Sequence, residues 1–323
     1  MEESDRSARA RAATAKGLRA AWPLAVLGIV AACAVRPVEE VKLFRTAFTA
    51  VNQVGQPLLD ELSVSERLRG RAVATNRARR GTAVGDCRPA WQEVGRGGFI
   101  YGFCNDDAPY FGELGDPPAA KMMRGALSVI ERYAEALGQL GDGGNIEEAR
   151  GHIEEIGADV AGILSLVPGL QAGAAVIGPA LQALQPILEG VGRAASAAEQ
   201  RRLIREGAPL VSKLIAALRS AAPEIFVTLV DAPRARLTRE QAANPDVAAP
   251  DLRVIEGYRT TVSNYVILLG ELQGAWDSVV AAVDRPADPI RLAQIARRTG
   301  EIKGYADSVR RTMAVIRVGG AAR

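Results

Sequence analysis

Nine residues late in the chain, Ile255, Tyr258, Val262, Tyr265, Leu269, Leu272, Trp276, Val279 and Val283, recur at alternating steps of three and four. An apolar stripe of this period, held through four heptads, fits one long helix packed along its length against others, and it fits no strand. From Asp251 to Asp284 such a helix extends about 50 Å at 1.5 Å per residue. The run Asp284-Arg285-Pro286-Ala287-Asp288-Pro289 breaks it, and Asp288 and Pro289 make an N-cap and first helical position for a second long helix. Ile295, Ile302, Tyr305, Val309 and Met313 carry that helix to about Val318, where Gly319-Gly320 ends it. So short a connection makes the two helices antiparallel neighbours.

Earlier segments repeat the period less cleanly. Val41, Phe44, Phe48 and Val51 mark a first helix, interrupted near Gly55-Gln56-Pro57 and resumed through Leu62. Met123, Ile130, Tyr133, Leu137 and Leu140 mark a second, ended by Gly141-Asp142-Gly143-Gly144. Ile146, Ile153, Ile156, Val160, Ile163 and Val167 mark a third, and Leu203, Val211, Leu214, Leu218 and Leu229 mark helical stretches before a Pro-rich linker around Pro233, Pro245 and Pro250. Aromatics make up only 5% of the 323 residues while small and aliphatic side chains abound, which favours helices over sheets. The expected fold class is all-α: an elongated antiparallel helical bundle with one exception, a small disulfide-stapled β-hairpin insertion.

That exception is residues 81–118, which hold six of the fifteen aromatics: Trp91, Phe99, Tyr101, Phe103, Tyr110 and Phe111. Phe99, Tyr101 and Phe103 alternate with the period of a strand, and Gly95-Arg96-Gly97-Gly98 supplies a turn. Cys87 and Cys104 flank the segment. In an oxidising compartment such a pair reads as a bridge, and a loop of that size would gain about 3 kcal/mol in the chain-entropy account.

The compartment is read from the N-terminus. Arg6, Arg9, Arg11, Lys16 and Arg19 against Glu2, Glu3 and Asp5 leave a net charge of about +2, and an uncharged run from Ala20 to Val35 comes next. Sixteen residues fall short of the roughly 20 that span a bilayer, so the layout is that of an export signal. The run ends in Val30-Ala31-Ala32-Cys33, which resembles the lipobox of bacterial lipoproteins: an aliphatic residue, two small residues and cysteine. The resemblance implies cleavage before Cys33, acylation of its thiol and a membrane anchor. It covers about residues 16 to 34 only, with Val30 standing where the family usually has Leu. An uncleaved signal anchor is the rival expectation, and either places the body outside the cytoplasm, in the bacterial cell envelope.

The expected organisation is therefore an export signal peptide over 1–32, a tether and first helix over 33–80, the hairpin over 81–118, a helical bundle over 119–318 and a tail over 319–323. Arg67, Arg69, Arg71, Arg77, Arg79 and Arg80 place six positive charges in fourteen residues with no acid among them. Such a run reads first as a solvated segment and otherwise, outside the cytoplasm, as a surface for anionic lipid head groups or an acidic envelope polymer. The partners expected are anionic lipid or an envelope protein rather than nucleic acid, and the overall formal charge of only +3 agrees. Residues 160–188 carry no charge, but their prolines and glycines disfavour one straight membrane helix and leave a buried hairpin or an insertable tongue. No G-x-S-x-G, Walker A, H-E-x-x-H or calcium-loop spacing is present, and the chain has a single histidine, His152. No metal, cofactor or catalytic residue is expected. The function expected is that of a nonenzymatic membrane-anchored helical scaffold or adaptor; the alternative is a membrane-perturbing or pore-forming protein that uses 160–188.

Overall fold

The computed structural model describes residues 37–79, 88–94, 97–141, 151, 155, 197–243, 250–285 and 288–321. In chain order its long helices are α1 (Val38–Arg79), α3 (Pro118–Gly141), α4 (Ala197–Ser220), α5 (Ala222–Ala243), α6 (Pro250–Ala282) and α7 (Pro289–Ala321). Between α1 and α3 lie strands β1 (Arg88–Val94) and β2 (Gly97–Phe103), a 3-10 turn Asn105–Asp107 and the single-turn α2 (Ala108–Phe111). The uncharged stretch 160–188 and most of the expected third helix lie outside the described residues; Gly151 and Glu155 within it are helical.

Helices α1 and α6 are the axis of the bundle. The first packs against α3, α5, α6 and α7, and the second also meets α4, α5 and α7. The heptad stripe of α6 is the buried one: Tyr265, Leu269, Leu272, Trp276 and Val279 are all fully enclosed. At its centre the Trp276 ring lies 5.0 Å from that of Phe44 on α1 and 6.2 Å from that of Tyr133 on α3. Two of the buried polar tips bond to backbone: the indole N–H of Trp276 donates to the Ala208 carbonyl at 3.2 Å, and the Tyr133 hydroxyl to that of Leu203 at 2.8 Å. Burial pushes the Tyr133 phenol well above its ordinary range.

Helix α1 corrects the expected break at Gly55-Gln56-Pro57. Pro57 sits inside one continuous 42-residue helix. The ring removes one i→i−4 bond, a penalty of about 3 kcal/mol in isolation, but Val54, Leu58 and Leu59 around it are almost fully buried and hold the helix through the proline. Gly55 is needed there for another reason: a Cβ would stand 3.2 Å from the Tyr265 ring of α6. Pro233, expected in a linker, likewise lies inside α5. On α7 the buried stripe is Ile295, Thr299, Ile302, Ala306, Val309 and Met313, and Tyr305, expected in the core, is 43% exposed.

The fold class is corrected in its second half. Helix makes up nearly all of the structure, and the expected disulfide-stapled β-hairpin insertion is not borne out as part of the fold class. Where it was expected, β1 and β2 form a local antiparallel ladder from Arg88 opposite Phe103 to Val94 opposite Gly97. Cys87 lies outside the described residues, so the staple to Cys104 is no part of the described structure. From Cys104 onward the chain is helical turn rather than strand, because Asn105-Asp106-Asp107 and Pro109 suit helix starts and not a ladder.

A substitution between α3 and α4 tests the packing. A Cβ at Gly207 would run into the Tyr133 hydroxyl and ring. Helix propensity alone favours alanine there by about 1 kcal/mol, whereas overpacking costs about 1–3 kcal/mol. Gly207→Ala is expected to be net destabilising in urea unfolding; a stabilised variant would mean that the two helices do not approach this closely.

Candidate functional site

The basic run expected to be a solvated segment is the C-terminal half of α1, and the described arginines in it are occupied. Arg67 and Arg71, one helical turn apart, face the connection that leads to α3. Arg67 donates to the Gly115 carbonyl, and Arg71 Nε to the Tyr110 carbonyl at 2.7 Å. The Arg71 guanidinium also lies 5.8 Å over the Phe111 ring. Arg77 pairs with Asp107 and approaches Cys104 Sγ at 3.4 Å. Arg69, pointing about 160–200° away from its neighbours on the helix, reaches α5, where it meets Glu224 at 3.3 Å and Thr228 at 3.2 Å.

These guanidinium groups lash residues 104–115 onto α1 and tie α1 to α5. Tyr110 packs so closely on α1 that a Cβ at Gly70 would overlap its ring. The four described arginines are thereby divided between two faces of α1. Arg79 ends α1 with its side chain outside the described residues, as are Arg80, Cys33 and Cys87.

The structure assembles a second polar site that sequence reasoning missed. Lys42, Arg45, Thr46 and Thr49 occupy one stripe of α1 at steps of three, one and three, and Glu131 and Glu135 are one turn apart on α3. With Phe48 and Ala134 at the base they line a groove of about 290 Å³. Burial raises the Glu131 carboxyl above its ordinary value, with the charge of Glu135 adding to it and an Asn52 hydrogen bond at 3.3 Å opposing it. Arg45 lies against α3 at Gly138, where a Cβ would be 2.8 Å from its Nη1. Two cations, two hydroxyls and two carboxylates suit a ligand with both donors and acceptors, such as a peptide segment, better than a bare anion. The legible signal was the polar stripe of α1 itself; what hid the site was its second half, more than eighty residues away on α3.

Glu66 is the other missed group. Its carboxylate is buried beneath α3 and accepts the N–H groups of Ala119 at 2.9 Å and Ala120 at 3.0 Å. Among the described residues no group of His, Cys, Asp or Glu is arranged to hold a metal ion, and no helix is long and apolar enough to cross a membrane. Compared with known proteins, the chain matches no family model, no curated protein and no solved structure.

Proposed function

We propose that the chain is a nonenzymatic helical scaffold or adaptor of the bacterial cell envelope, tethered to a membrane through an acylated Cys33. The observation that carries this reading is the position of α1 relative to the lipobox-like run Val30-Ala31-Ala32-Cys33. The helix begins at Val38, five residues beyond the cysteine, and continues for 42 residues through the centre of the bundle. At 1.5 Å per residue that is a rod of about 63 Å. A lipid on Cys33 would hold its first turns close to the bilayer, with the groove of Lys42, Arg45 and Thr49 at its base. Arg67 lies about 44 Å farther along the helix axis than Val38. That separation, together with the internal partners of Arg67, Arg69, Arg71 and Arg77, favours an envelope protein over lipid head groups as the partner of the body.

The tether is tested first. Mature protein is expected to start at Cys33, to incorporate labelled fatty acid and to sediment with membranes. Cys33→Ala should lose the label and release the body, since stable anchoring needs more than one membrane signal. Unlabelled mature protein that retains Met1 would defeat the lipid anchor. Pull-down from intact envelopes should then capture a defined protein through the wild type, and purified body should leave lipid vesicles sealed. Leakage from those vesicles would replace the scaffold with a membrane-perturbing activity of residues 160–188.

A further inference from the structure

Helix α7 has two faces of one period. Its inward stripe packs against α1 and α6. On the opposite side Ala293, Arg297, Gly300, Gly304, Asp307 and Arg311 are all exposed and recur at the same steps of four and three. At about 100° per residue these six fall within an arc of roughly 80°. No fold requirement among the described residues accounts for the two glycines, since a Cβ at either meets no atom within 4 Å. Each lowers helix propensity against alanine. On α6, by contrast, Gly274 makes room for the Arg298 guanidinium.

We propose that this outward face of α7 docks a second copy of the same chain, with the two helices antiparallel about a two-fold axis at the level of Ile302. The charges select this occupant. In that arrangement residues equally far from Ile302 in sequence face one another: Gly300 meets Gly304 of the second copy, Arg297 meets Asp307, and Glu301 meets Lys303. Every charged pairing is of opposite sign, and the symmetry repeats each one. Parallel packing in register would instead set Arg297 against Arg297 and Asp307 against Asp307. The glycine pair lets the backbones approach at the centre, where a side chain would hold them apart.

Within one chain Arg297 pairs with Glu301 at 3.3 Å, and Arg310 with Asp307. These groups are largely exposed, and such surface pairs contribute little. Exchanging them for intermolecular partners therefore sacrifices little. The seam from Ala293 to Arg311 is only about 27 Å long, at the low end of specific interfaces, so the association is weak and concentration-dependent.

The test uses the full chain in mild detergent, with molar mass tracked by sedimentation over a rising concentration series. Wild type is expected to approach twice the chain mass. Gly304→Leu should remain monomeric while its melting temperature holds or rises, because the added side chain has open space in the monomer. Asp307→Arg should also be monomeric, and Arg297→Asp combined with Asp307→Arg should restore the dimer by exchanging the two charges. A wild type that stays monomeric throughout, or a double variant that is not restored, overturns the proposal. So does a fall in the melting temperature of monomeric Gly304→Leu, which would mean that another part of the same chain covers this face.

Discussion

Replacing Trp276 with alanine is expected to lower the unfolding free energy by about 3–5 kcal/mol, among the largest effects of any single core substitution in this bundle. The indole is fully enclosed where α6 meets α1, α3 and α4, with the rings of Phe44 and Tyr133 on two sides. Truncation removes the apolar transfer gain and leaves a cavity that helices pinned along their whole length are poorly able to close. It also removes the donor to the Ala208 carbonyl. Urea unfolding of Trp276→Ala beside Ile267→Ala provides the check, because Ile267 lies on the same helix but is 47% exposed. The control should change far less, and a Trp276→Ala loss below about 1 kcal/mol would mean that this contact is not the centre of the core.

That centre was legible from sequence because one residue class carried it. Trp276, Tyr265 and the leucines between them keep a strict seam, and burial tracks period wherever a helix packs along its whole length. Two kinds of misreading trace to physics the period does not contain. Pro57 and Pro233 read as breaks, but a proline is only a local loss of one hydrogen bond, and the helix continues where the apolar residues on both sides are held. Tyr305 read as core because it is large and apolar in body, although it stands beside the true stripe, where Ala306 fills the space. The basic run was misjudged for a further reason. No acid lies among its arginines, yet the partner Asp107 lies thirty residues from Arg77 and Glu224 more than one hundred and fifty from Arg69. Long-range charge pairing and the two-helix polar groove are properties of the assembled bundle, invisible to any window along the chain.

Glu66→Ala is expected to produce the second large loss, about 2–4 kcal/mol, from the loss of a helix cap supplied by another helix. Helix α3 starts at Pro118, directly after Asp116-Pro117, and neither proline has a side-chain oxygen to satisfy the first N–H groups. The Glu66 carboxylate of α1 does so instead, bonding Ala119 and Ala120 together. Alanine would leave both donors without their acceptor in a buried setting, at about 1–3 kcal/mol for each orphaned group. Glu66→Gln should cost about half as much, because its amide oxygen can serve one donor while its NH₂ opposes the other. The pH dependence separates the forces acting on the carboxyl. Burial raises its pKa above the ordinary 4.5, more strongly than the two N–H bonds lower it, and Asp116 adds to the rise while Arg67 opposes it. A folded pKa above the unfolded one means that the native state holds the proton more tightly. The resulting stability is fully present below the unfolded value and is lost as the pH rises through the folded one. Acidification from neutrality toward 4.5 should therefore stabilise wild type relative to Glu66→Gln, which has no proton to bind at this position. Unfolding free energies of both proteins across that interval measure the difference directly. If wild type instead loses ground to Glu66→Gln on acidification, the N–H bonds outweigh burial, and Glu66 acts as an ionised cap whose pKa is depressed.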